Sequence, residues 1–144
     1  MGTFKLTGVL RARQAQEDVR KAEVVRARGA SAAARQRADE RRGALRDSDL
    51  PANGTGRAVV AAIAARQALA AGLAAAHRGI DDADLEVAES TDRLADAAKN
   101  RRVVERLGER HAAAAKAKHA SAEQRALDEI AINGATRGER STHT

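Results

Sequence analysis

Large apolar residues recur every seven positions through the middle of the chain. Leu73, Ile80, Val87 and Leu94 form one such series, and Val59 falls on the same spacing. Three positions further on come Ala62, Leu69, Ala76, Ala83, Ser90 and Ala97. Two apolar positions per seven residues make the seam of a coiled coil. One seam position is large and the other mostly small, which lets two helices approach closely. Nearer the N-terminus, Leu10, Val24, Ser31, Ala38 and Leu45 share a seven-residue series interrupted by Glu17. Between the two patterned regions, residues 47–56 hold Pro51, Asn53-Gly54 and Gly56, a dense cluster of turn signals. The pattern predicts an all-α fold, a long antiparallel two-helix coiled-coil hairpin with an extended C-terminal helix. The helices are expected over residues 5–47 and 57–131, with a turn over 48–56 and Thr55 as an N-cap. Residues 133–144, rich in Gly, Ser and Thr, read as a flexible tail after a single hairpin domain over 1–132.

Folding the chain about Ala52 brings level those positions whose numbers add to about 104. Leu10 then lies near Leu94, Val24 near Ile80 and Leu45 near Val59. The register stays open at this point, because the two seam positions usually face each other in antiparallel pairs. Charge gives a second expectation. Residues 5–47 carry 12 basic and 6 acidic side chains, whereas residues 57–100 carry 5 basic and 7 acidic. Asp81, Asp82, Asp84, Glu86, Glu89, Asp92 and Asp96 are expected opposite Arg11, Arg13, Arg20, Lys21 and Arg26. The first helix runs out near residue 5, so the second has no partner in the chain beyond about residue 104. Yet that stretch keeps Val104, Leu107, Leu127 and Ile130, and an unpartnered helix with apolar positions is a candidate docking surface.

Composition narrows the fold further. Alanine supplies 37 of the 62 hydrophobic residues among 144, and Phe4 is the one aromatic. A core of ordinary size cannot be built from the remaining large apolar residues. Long helices burying a narrow stripe can be, since alanine has the highest helix propensity. There is no cysteine, which removes disulfides and thiolate metal sites. No signal peptide is read at the N-terminus. The most apolar stretch, residues 59–76, is mostly alanine and is interrupted by Arg66 and Gln67, so no transmembrane segment is expected.

No catalytic constellation is present. His77, His111, His119 and His143 are scattered and match no metal-binding spacing. Asn53-Gly54-Thr55-Gly56-Arg57 lacks the Gly-Lys-Ser/Thr ending of a phosphate loop. The reading is a protein that is not an enzyme and uses no cofactor. A net charge of +6 permits an anionic partner. Arg35, Arg37, Arg41, Arg42 and Arg46 form a basic stripe, but stacking aromatics are absent and acids are interspersed, so no specific nucleic-acid partner is expected. The alternative function is a generic coiled-coil scaffold or a basic nucleic-acid-associated helical protein.

The chain opens with Phe4, Leu6, Val9, Leu10, Arg13 and Glu17. It closes with Val104-Glu105-Arg106-Leu107-Gly108-Glu109-Arg110 and then Glu123-Gln124-Arg125-Ala126-Leu127-Asp128-Glu129-Ile130-Ala131. Both ends, in this order and about 120 residues apart, resemble the flagellar FliJ family. The resemblance implies a component of the bacterial flagellar protein export apparatus, similar to the central stalk of rotary ATPases. It implies that the end bearing both termini enters the hexameric export ATPase, through Phe4, Leu6, Leu10, Arg13, Val104, Leu107, Arg110, Leu127, Asp128 and Glu129. It implies that the turn end reaches the membrane export gate, through Arg42, Leu45, Val59, Ile63, Leu69, Leu73 and His77. Export chaperones are further partners that it implies. The implied location is cytoplasmic, peripheral to the inner face of the membrane at the flagellar base.

Overall fold

The computed structural model describes the backbone over residues 2–141 and the side chains over residues 6–134. It contains two helices, α1 (Gly2–Arg46) and α2 (Gly56–Ser141). They pack antiparallel as a hairpin, and no strand occurs among the described residues. The long alanine runs make continuous helix the favoured backbone. α1 ends where Ser48 turns back on it: its hydroxyl donates to the Leu45 carbonyl at 2.6 Å and its amide to the same oxygen at 3.3 Å. Thr55 caps α2, its Oγ1 accepting from the Ala58 amide at 3.4 Å, while its carbonyl accepts from the Val59 amide at 3.2 Å. The helix continues through Asn133 and Gly134 to Ser141, past the point where the sequence reading ends the domain.

The contacts divide the chain into two compact units. One is Arg13–Lys99; the other joins Met1–Ala12 to Asn100–Thr144. Within Arg13–Lys99 the predicted seam lies in the core, joined in α1 by Ala27 and Ala34, three positions on from Val24 and Ser31. Val24, Ala27, Ala34 and Ala38 are buried, together with Glu17, Ser31 and Ser90. Leu69, Leu73, Ala76, Ile80, Ala83, Val87, Leu94 and Ala97 of α2 are half-buried. Two helices cover only one stripe of each other, so the thinness of this core follows from the architecture.

The register differs from the one expected. Glu23 meets Arg93, Ser31 meets Asp84, the Arg41 guanidinium lies over Gly72, and Arg66 donates to the Ser48 carbonyl at 2.8 Å. The numbers in these four pairs add to between 113 and 116, not 104. Val24 is therefore level with Ser90 rather than Ile80, and Leu45 with Leu69 rather than Val59. The reason lies in the connection. Residues 47–55 contain no regular structure, and no described residue has a positive φ, so Asn53-Gly54 does not form the two-residue hairpin turn that needs one. An extended strand of nine residues reaches about 30 Å. It can therefore run beside the first three turns of α2, roughly 18 Å, before the helices meet. The pairing that results sets large residues against small ones: Ile80 is level with Ala34 and Val87 with Ala27.

The expected charge pairing is corrected with the register. Asp84 accepts from Arg35 Nη2 at 2.6 Å, and Arg93 of the acidic run reaches back to Glu23 at 3.7 Å. Arg20 and Lys21, placed opposite the acidic run by the sequence reading, instead pair within α1. Arg20 bonds Glu23, and Lys21 bonds Glu17 and Asp18. Short-range pairs three and four residues apart form without helix–helix matching.

In the other unit, Leu6 and Leu10 of α1 are half-buried, as are Val104 and Gly108 of α2, and Arg101 pairs with Glu105. From Glu109 to Gly134 every side chain is exposed. The fully exposed stretch thus begins about one turn later than the point where the sequence reading ends the pairing, because Leu10 is level with Val104 and not Leu94. Between Gly56 and Gly134 an 18-residue window of α2 reaches a mean hydropathy of 1.7 with none of it buried. By length and composition alone this helix could cross a membrane.

Candidate partner-binding surfaces

The residues assigned to the terminal end fall into three settings. Leu6, Leu10 and Val104 line a groove of about 170 Å³ with Thr7, Glu105, Gly108 and His111. Gly108 contributes no side chain there, and a Cβ at that position would meet nothing within 4 Å, so the floor stays open. Leu107 and Arg110 border a second hollow of about 150 Å³ with Val103 and Arg106. Leu127, Asp128 and Glu129 lie farther along α2 and are exposed, with Gln124 donating to Asp128 at 3.1 Å. The side chain of Phe4 lies outside the described residues. Arg13 belongs to the Arg13–Lys99 unit, half-buried, donating to Gln16 at 3.1 Å. Of the described members of the set in the unit joining Met1–Ala12 to Asn100–Thr144, Leu6, Leu10 and Val104 share one groove and Leu107 and Arg110 border another.

The residues assigned to the turn end divide between seam and surface. Leu45, Val59, Leu69 and Leu73 are half-buried on the seam series, where they hold the two helices together. Arg42, Ile63 and His77 are exposed, and Arg42 donates to Asp39 at 2.7 Å. A feature absent from the sequence reading lies next to them. Ala34, Arg37 and Arg41 of α1 face Gly72, Ala75, Ala76 and Gly79 of α2 across a groove of about 280 Å³. A Cβ on Gly72 would sit 2.6 Å from Arg41 Nη1, so the missing side chain is what lets the guanidinium lie across α2. The sequence signal was available: Gly72 and Gly79 are seven apart, each one position before a seam residue.

Electrostatics are local. The Ser31 hydroxyl donates to Asp84, and with the Arg35 charge beside it this holds the carboxyl below its usual range. The Arg20 hydrogen bond, helped by its charge and those of Arg93 and Arg26, does the same for Glu23. Hydrogen bonds to Glu17 and Asp18 raise Lys21. All three groups face solvent, and in each the leading cause of the shift is a side-chain hydrogen bond. Among the described residues no group of three His, Asp or Glu side chains is disposed to hold a metal ion.

The surfaces are thus long, shallow and helical, of the kind that bind other proteins. The profile of the family described as Flagellar FliJ protein matches residues 2–140. The chain belongs to the flagellar FliJ family. That makes it a component of the flagellar protein export apparatus, in a family of non-enzymatic export components. Neither curated proteins nor solved structures yield a match. The FliJ match spans both helices and the connection, in keeping with the opening and closing motifs of the sequence.

Proposed function

We propose that this FliJ-family chain is a coiled-coil stalk coupling the hexameric export ATPase to the membrane export gate, and that it assists export chaperones. The observation that carries this reading is the length mismatch. α2 is 86 residues long against 45 for α1, and its C-terminal part keeps Leu127 and Ile130 more than 60% exposed. A helix that keeps large apolar side chains in water without a partner in its own chain is poised to dock into another protein. The partner at this end is the ATPase ring, and Leu6, Leu10, Val104 and Leu107 contribute the apolar part of the contact. At the turn end, Arg42, Ile63 and His77 are the surface members of the gate-facing set. ATP hydrolysis belongs to the partner ring. The chain itself acts by binding, in the cytoplasm at the inner face of the membrane, and it takes no specific nucleic acid.

The test uses the full chain. Leu107→Glu with Leu127→Glu places charges on two exposed positions, leaving the seam intact. Capture of the export ATPase should weaken at least tenfold while helicity is unchanged. Undiminished capture would remove the terminal end from the ATPase contact. Ile63→Glu with Arg42→Glu should leave ATPase capture intact and weaken binding to the gate protein.

A further inference from the structure

The seam of the Arg13–Lys99 unit does not by itself select a register. In the observed one, Ala27 is level with Val87, Ala34 with Ile80 and Val24 with Ser90. Slide α1 along α2 by one heptad, about 10 Å, and every seam residue meets another seam residue. Ala27 is then level with Ile80, Ala34 with Leu73, Val24 with Ala83 and Leu45 with Ala62. Small faces large at each of these four layers. A seven-residue repeat always permits this slip, and polar residues at or beside the seam are what distinguish one register from the next.

The polar residues here do distinguish them. Asp84 sits between two donors of α1, Ser31 Oγ at 2.6 Å and Arg35 Nη2 at 2.6 Å. Ser31 is itself buried. Nine residues on, Arg93 reaches Glu23 at 3.7 Å and ties it to Glu86 and Glu89. After the slip, His77 takes the place of Asp84 and Glu86 the place of Arg93. Ser31 and Arg35 then face an imidazole that offers no carboxylate, and Glu23 faces a like charge. The connection does not forbid the move, and Arg41, which would then face Ala65 in place of Gly72, is a flexible side chain that can swing aside. The nine-residue connection has to cover roughly 18 Å now and about 8 Å after the slip, within its reach of about 30 Å. A slip the other way would stretch it to about 28 Å, near its limit.

We propose that this hairpin has two registers one heptad apart, and that Asp84, held by Ser31 and Arg35, is the lock that keeps the observed one. Arg93 with Glu23 is the second half of the lock. A partner that draws Asp84 or Arg93 away releases α1 to travel along α2, so the stalk carries an axial displacement as well as a rigid load. This deepens the stalk reading, and its test needs neither ATPase nor gate, so its failure leaves partner binding standing.

The full chain contains no cysteine, so paired cysteines report register cleanly. Ala27→Cys with Val87→Cys reads the observed register, and Ala27→Cys with Ile80→Cys reads the shifted one. In the otherwise native chain the 27–87 disulfide should dominate. Adding Asp84→Ala and Arg93→Ala should raise the yield of the 27–80 disulfide roughly tenfold, in line with losing hydrogen bonds to charged groups. Ser31→Ala with Arg35→Ala opens the lock from the opposite helix and should do the same. The proposal is overturned if both variants still form only the 27–87 disulfide. It is equally overturned if both lose helicity and form neither, since the cluster would then hold the fold rather than choose its register.

Discussion

Val24 and Val25 are adjacent, chemically identical and oppositely placed. Val24 is 5% exposed on the seam, and Val25 is 69% exposed on the outer face. Replacing either with alanine removes two methyl groups and improves helix propensity by about 0.5 kcal/mol. At Val25 that gain is nearly the whole effect, so Val25→Ala should stabilise by a few tenths of a kcal/mol. At Val24 the lost burial, about 0.8 kcal/mol per methyl group, outweighs it. Val24→Ala should therefore destabilise by about 1 kcal/mol net. The difference between the two variants, about 1.5 kcal/mol, isolates burial because the propensity change cancels. Urea unfolding followed by far-ultraviolet circular dichroism measures both, with an unchanged slope as the sign that the same surface is exposed. Equal midpoints for the two variants would refute the assignment of the seam to the face carrying Val24, Ser31 and Ala38.

Other outcomes follow from the same geometry. Ala38 is 1% exposed, so Ala38→Leu should overpack the seam and cost about 1–3 kcal/mol, read as a lower thermal midpoint. Gly72→Ala should be stabilising by roughly 0.5–1 kcal/mol, because the group its Cβ would meet is the far end of the flexible Arg41 side chain; a drop in midpoint would show that Arg41 cannot move. Asp84 and Glu23 have lowered pKa values, so their pairing is fully present above the ordinary carboxylate range and is lost as pH falls through the folded values. The thermal midpoint should thus fall below about pH 4 in the native chain, and less steeply in Asp84→Ala. Lys21 is raised, so its contribution is present below the ordinary lysine value of 10.5 and lost above it; Lys21→Ala should flatten the alkaline limb of the same curve.

Much of this architecture was legible in the repeat. The series through Leu73, Ile80, Val87 and Leu94, and the small series three positions on, are the residues that α2 turns toward α1. Thr55 announced its helix because a short hydroxyl side chain before a run of helix formers has an amide to accept from. The register was not legible, for two physical reasons. A heptad pattern fixes which face is buried but is unchanged by a slip of seven. The sequence reading folds the chain at the middle of the turn, whereas a nine-residue connection is long enough to let the helices meet well beyond it. Pairwise charge carried the missing information: Arg93, one base within the acidic run, fits Glu23, and Asp84 fits Ser31 and Arg35. Net charge per segment averages such matches away. The surface residues were harder still, since Leu45, Leu69 and Leu73 are as apolar as a docking face yet serve the seam, whereas the Arg37–Arg41 groove depends on Gly72 and Gly79 lacking side chains across from it.

Everything proposed for the Arg13–Lys99 unit rests on two helices lying antiparallel with Glu23 level with Arg93. Spin labels at the exposed positions 25 and 89, and separately at 25 and 79, test that directly in a chain with no native cysteine. Helices packed 8–10 Å apart predict a label distance under about 3 nm for 25–89, shorter than that for 25–79. A shorter 25–79 distance would contradict the register, and separations of many nanometres for both pairs would contradict the hairpin itself.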